Sequence, residues 1–303
     1  MTAATISDPW LAASQGDVHA LVALHQRGID VAVADEQGDT PAHLAAKLGQ
    51  VEVLRALYRL EDAARASLHR CASPYGYAPA HLAARAGQVD VLRALYELGG
   101  VERDSVHEPS GQHGYTPAYL AAEAGRADVL LALHGFGGAA RESLHSPVGP
   151  HRFTLAHLAA QVDQVAVLRV LSRLGGDARD TLRAHAGPHD FMPAHVAAYL
   201  NNVAVLRALH GFGGAAQASL HIPVGKEQYT PAHVAAQAGN VDVLRVLSEL
   251  GGGAHASLYG HTGPHGFAPA HVAAMAGQNE ILQFLYELGG EARASLHAPA
   301  GRR

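Results

Sequence analysis

Cysteine is almost missing from this sequence, with one residue, Cys71, in 303. A single thiol excludes an intramolecular disulfide framework and fits a reducing compartment. Charge is scarce as well. Charged residues make up 16%, with 27 acidic against 22 basic side chains and a formal net charge of -5. The basic excess that a nucleic-acid binder concentrates on one face is therefore absent. No run of about 18 apolar residues occurs, which predicts no membrane span. The opening MTAATISDPW lacks the basic region and apolar stretch of a signal peptide. Glycine loops of the P-loop or dinucleotide type are missing too. The expectation is a soluble, cytoplasmic protein, in the producing cell or in a host cell, whose partners are neither nucleic acid nor membrane.

What the chain does have is repetition. Apolar residues make up 48% and there are 33 glycines, while 22 histidines equal the whole lysine plus arginine count. The phrase PAHLAA and its variants begin at Pro41, Pro79, Pro117, Pro193, Pro231 and Pro269, with Leu155 in the remaining slot; every step is 38 residues. A degenerate earlier copy starts at Pro9. The chain reads as one domain, 1–303, with a short N-terminal capping repeat over 9–40. Seven full repeats follow, starting near 41, 79, 117, 155, 193, 231 and 269.

Each repeat has the same grammar. A proline opens a short helix, where its missing N–H costs nothing. Paired alanines such as Ala45 and Ala46 remove side-chain bulk and let a neighbouring helix come close. A glycine ends the helix, as at Gly49 and Gly87. A second helix then carries apolar residues at helical spacing (Val53, Leu54, Leu57, Leu60) and stops at Gly-Gly, for example Gly99 and Gly100. A tail of the form Ser-Leu-His leads into the next repeat. One helix pair cannot bury its apolar face alone, so the repeats must stack. The sustained alternation that marks long strands is absent. The fold expected is all-α.

The phrases TPAHLAA at Thr40 to Ala46 and TPAHVAAQAG at Thr230 to Gly239 resemble the ankyrin signature, T-P-L-H-x-A-A followed by x-x-G. The resemblance covers roughly residues 9 to 290. It implies an ankyrin-type repeat solenoid of helix pairs with extended finger loops. Ankyrin repeats usually have about 33 residues; the five extra ones here lie between the second helix and the next turn. Arrays similar to this one occur as scaffolds, as inhibitors and as bacterial effectors. The function implied is protein–protein interaction through the concave face, made of fingers and first helices.

Equivalent residues form columns. Two places after the proline slot stand His43, His81, His157, His195, His233 and His271, with Tyr119 as the exception. In ankyrin repeats a histidine there is similar to a structural fixture that bonds finger backbone. Two places before the slot stand Tyr77, Tyr115, Phe153, Phe191, Tyr229 and Phe267, either a packed ladder or an apolar stripe offered to a partner. Four places before it stand Tyr75, His113, His151, His189, Glu227 and His265. Six places past the slot the residue varies, through Lys47, Arg85, Glu123, Gln161, Tyr199, Gln237 and Met275. Variation at one slot of a strict repeat predicts exposure, because packing would constrain a core slot; neutral drift on a solvated surface is the bland alternative. The candidate partner-binding residues are accordingly Tyr77, Arg85, His113, Tyr115, Glu123, His151, Phe153, His189, Phe191, Tyr199, Tyr229, Gln237, His265, Phe267 and Met275.

Other chemistries were weighed on the same columns. His185 with His189, and His261 with His265, have a spacing compatible with a metal, which gives the alternative of a histidine-rich metal or small-ligand binder. No cysteine or carboxylate stands at a fixed offset to them, so no metal site and no cofactor are assigned. The recurring Ser67-Leu68-His69 and its copies supply neighbours in sequence, not a converging nucleophile and base, and no enzyme is expected. The second-helix arginines Arg55, Arg93, Arg169, Arg207 and Arg245 read as solvated, with Glu52, Asp90 and Asp242 three places earlier as partners. The last repeat keeps Ile281, Leu282, Phe284 and Leu285 where a cap would be polar, so this surface is expected to be covered by the final segment folding back, by end-to-end self-association with another copy, or by residues beyond this sequence.

Overall fold

A computed structural model describes residues 8–60, 62–71 and 75–299. Packing divides the chain into two units, 1–150 and 151–303, and the same repeat builds both. The short N-terminal repeat forms Pro9–Gln15 and Val18–Gln26, each capped by an aspartate: Asp8 accepts from Trp10 N–H and Asp17 from Ala20 N–H.

In the full repeats the first helices are Pro41–Leu48, Pro79–Ala86 and Pro117–Glu123 in the first unit, then Leu155–Gln161, Pro193–Tyr199, Pro231–Ala238 and Pro269–Met275 in the second. The second helices begin ten residues after the slot, as in Val51–Leu60, Val89–Leu98 and Val241–Leu250. Within each unit first helix packs on first helix and second on second. The paired alanines are fully buried at that contact from Ala45 and Ala46 to Ala235 and Ala236, while in the last repeat Ala273 is buried and Ala274 exposed; Leu54, Leu57, Leu92, Leu95, Leu206 and Leu244 fill the layer behind.

The five extra residues lie where the sequence places them, but their shape differs from the expectation. The repeat is a helix triplet, not a pair. After the second helix the chain winds a third, one-turn helix (Gly100–Asp104, Gly138–Glu142, Gly176–Asp180, Gly214–Ala218, Gly252–Ala256) and only then runs into the finger. Gly99 and Gly100 do not stop the chain; they turn it into this helix, with φ of +78° and +54°. Two consecutive positive φ values suit glycine, which has no Cβ to clash. Ser-Leu-His then finds a bland explanation. The serine hydroxyl donates to the carbonyl three residues back and closes the helix, as Ser143 does to Ala140 at 2.7 Å. The leucine is buried (Leu144, Leu220 and Leu258 at 0% exposure).

The fingers are tight hairpins. Ser110 with Tyr115, Ala186 with Phe191, Val224 with Tyr229 and Thr262 with Phe267 form isolated antiparallel bridges. Neighbouring fingers approach through backbone: a Cβ on Gly225 would stand 2.7 Å from the His189 carbonyl oxygen, so glycine is required there.

Arg55 behaves as expected toward Glu52 (3.7 Å), but its shorter contact is Glu97 in the next repeat at 3.1 Å. Arg207, which has no acid three places earlier, pairs with Glu249 at 2.5 Å. Among the described residues Arg93 and Arg245 form no ion pair with Asp90 and Asp242. The useful partner lies about one repeat onward, where packing puts the next second helix alongside.

Candidate functional site

The histidine column is the joint that sets most of the fingers. His43 sits in the first turn of its helix with Nδ1 facing Thr40, accepting from its backbone N–H (3.1 Å) and its hydroxyl (2.9 Å). That fixes the proton on Nε2, which donates to the Tyr77 carbonyl of the next finger at 3.0 Å. The same bridge runs from His81 to Tyr115, His157 to Phe191, His195 to Tyr229 and His233 to Phe267, at 2.8 to 3.0 Å. In His43, His157 and His233 both ring nitrogens are thus used by a neutral imidazole, and a second proton would meet an N–H donor. Burial pushes these imidazoles down, His81, His157 and His233 to about 4 and His195 to about 3. Tyr119 fills the slot differently: its ring stacks on Tyr115 at 4.1 Å, and burial raises its phenol.

The caps are not equal. Thr40, Thr154 and Thr230 give their hydroxyls to the histidine, but Ala78 and Met192 stand in that place for His81 and His195. In those two repeats Nδ1 is buried without a partner.

A second joint was legible as a column and was missed. Nine places past the slot stand Gln50, Gln88, Arg126, Asn202, Asn240 and Gln278. Each reaches back to carbonyls near the end of the preceding repeat's first helix; Asn240 Nδ2 donates to Ala198 and Tyr199 at 2.8 Å each. These side chains satisfy orphan helix-end carbonyls.

The aromatic column forms stacks inside each finger. Phe191 lies between His189 (5.3 Å, tilted) and His195 (5.5 Å, stacked), and Phe267 between His265 (5.4 Å) and His271 (6.0 Å). His113 with Tyr115 and His151 with Phe153 repeat the pattern. The column does not make one uniform stripe: Tyr77 is buried, its ring held under Gly111 of the next finger, while Tyr115, Phe153, Phe191, Tyr229 and Phe267 are half-buried. The tip histidines His113, His151, His189 and His265 are exposed.

On the first helices the variable slot stands out of a floor of buried alanines. Arg85, Gln161, Gln237, Tyr199 (58%) and Met275 (62%) are exposed, and Glu123 is half-buried. Leu200 (42%) and Val162 (38%) extend the apolar part in the second unit.

The spaced histidines do not converge. His185 Nδ1 meets Asp190 Oδ2 at 3.0 Å, and His261 Nδ1 faces the Gly266 carbonyl at 2.8 Å. Among the described residues no three His, Cys, Asp or Glu side chains come together to hold a metal ion. Cys71 is exposed and accepts from the Ser110 hydroxyl at 3.3 Å. No helix among the described residues is long and apolar enough to cross a membrane.

Repeated helix triplets, joined in five repeats by a histidine from the first helix to the next finger, define a protein of stacked helical repeats. A family model of ankyrin repeats (3 copies) matches residues 10–105 and 194–295, more than half of the chain. The chain belongs to the ankyrin-repeat family, whose members generally mediate protein–protein interaction. A crystal structure of the human ASB11 ankyrin repeat domain is similar in fold, with a TM-score of 0.58 at 21% identity, over 82% of this chain and 99% of that one. No curated relative matches the sequence.

Proposed function

We propose that this chain binds a protein partner on the surface formed by its fingers and first helices, the concave side in the ankyrin family. One observation carries the reading: a chemically varied and mostly exposed slot stands on a helix whose neighbouring positions are held nearly constant by packing. In the second unit this slot and its neighbour run Gln161 and Val162, Tyr199 and Leu200, Gln237 and Ala238, Met275 and Ala276, without a charge among them. Exposed Tyr199, Leu200 and Met275 supply the large apolar anchors from which interfaces draw most of their energy. The tip histidines rim them with polar groups, as in a recognition surface. Tyr77 is set aside as a hot spot of its own, because its ring is buried.

A photo-crosslinking residue at position 199 or 275, tested in the source cell, should capture a discrete partner. The same residue at Arg173, on a second helix, should not. Equal capture from both faces, or capture only from Arg173, would refute the assignment.

A further inference from the structure

The first unit holds a hollow of about 610 Å³ between its first two fingers and the first helices beneath them. Its floor is Leu82 and Ala86, its far wall the stacked rings of Tyr75 and Tyr77 (centroids 5.7 Å apart), and its rim Lys47 and Arg85. A second hollow of about 240 Å³ shares Asp39, Lys47 and Leu82 with it and is walled by Trp10, the sole tryptophan. An apolar floor, aromatic walls and a few converging polar groups are the anatomy of a ligand site.

The charges decide what fits. Lys47 and Arg85 form no ion pair with any described residue, whereas Arg55, Arg65, Arg183 and Arg207 do. Of the acids nearby, one is held by backbone. Asp35 Oδ1 accepts from the backbone N–H groups of Gln37 and Asp39. Asp39, which lines the hollow, has its Oδ1 buried without a hydrogen-bond partner, and burial pushes its carboxyl up. Glu123, on the next first helix, is felt at the Tyr77 phenol, as is Arg85 with the opposite sign. Two cations, Lys47 and Arg85, thus stand against one lining carboxylate, and the charge the hollow offers a ligand is net positive.

We infer that this hollow receives a carboxylate-bearing side chain of the protein partner, with its apolar stem on Leu82 and Ala86 against the tyrosine rings and its carboxylate between Lys47 and Arg85. This deepens the partner-binding reading above and rests on it. A carboxylate accepts from a lysine ammonium and a guanidinium fork in charge-assisted bonds, stronger than neutral ones. Partial exclusion of water by the rings makes such a contact worth more than on an open surface.

Two small probes of matched shape and opposite charge, phenylacetate and benzylamine, test this on the intact chain. Trp10 fluorescence reads the adjoining hollow. Phenylacetate should give a saturable change, benzylamine none, and Lys47→Ala with Arg85→Ala should weaken phenylacetate by about tenfold or more. Both residues are exposed, and an unchanged melting curve verifies the fold. Because bound probe need not alter Trp10, chemical-shift changes at the Tyr75 and Arg85 amides are recorded in parallel. The inference is overturned by no saturable response in either readout, by tighter benzylamine binding, or by undiminished phenylacetate affinity in the double variant. These probes involve no partner, so their failure would leave crosslinking at position 199 standing, and failed crosslinking would leave the hollow's preference intact.

Discussion

Six places past the helix-opening slot, the first unit carries Lys47, Arg85 and Glu123, whereas the second carries Gln161, Tyr199, Gln237 and Met275. Behind those slots the two units are nearly the same object. Both bridge first helix to finger through a neutral histidine, both cap first helices with a reaching side chain (Gln88 in one, Asn240 in the other), and both bury the same alanine pairs. Buried positions repeat because a neighbour fixes their volume; exposed positions diverge because nothing inside the molecule constrains them. The contrast assigns a mixed-charge surface to the first unit and an uncharged, partly apolar one to the second.

Acid should break the shared skeleton with the largest effect. The bridging histidines have folded pKa values depressed by burial, so their contribution is complete above the unfolded value of about 6.5. It is lost as pH falls from there toward about 4, and toward about 3 for His195. A shift of this size corresponds to roughly 3 kcal/mol per imidazole. Urea midpoints should fall between about pH 6.5 and pH 4, and hydrogen exchange should show protection lost in both units. Loss confined to one unit would break the claim that they share a skeleton.

Core truncation comes next. Leu54→Ala in the first unit and Leu206→Ala in the second remove fully buried side chains and should each cost about 2–5 kcal/mol. Urea titrations giving similar values support equivalence; a surface-like effect at either position contradicts it.

The caps offer a smaller and more pointed test. Thr230→Ala should cost about 1 kcal/mol, and Ala78→Thr should gain a similar amount by giving the unpartnered His81 Nδ1 a hydroxyl donor. If Ala78→Thr leaves the urea midpoint unmoved, the orphaned nitrogen is not the weak point described above.

The period and the first two helices were readable because they depend on spacing, and the role of the histidine column came with the ankyrin resemblance. The third helix was not. Gly99-Gly100 has the appearance of a stop, and the five residues that follow are too few to show a helical period; only their two positive φ angles reveal a redirection. The partner of Arg207 escaped because Glu249 lies 42 residues away and is brought close by packing. In the candidate site, the exposure of Tyr199 and Met275 followed from variation within the column, but the burial of Tyr77 did not. Tyr77, Tyr115 and Phe153 all lie beneath a glycine of the following finger (Gly111, Gly149 and Gly187), so the column does not tell the buried ring from the half-buried ones.

The smallest effect on stability and the largest on binding should coincide in one variant, Tyr199→Ala with Met275→Ala. Both side chains are mostly exposed, so urea unfolding should shift by no more than about 0.5 kcal/mol. Affinity for the partner captured at position 199 should meanwhile drop about tenfold or more. A variant as unstable as Leu206→Ala, or one that binds that partner as tightly as the parent chain, would contradict the account of this face.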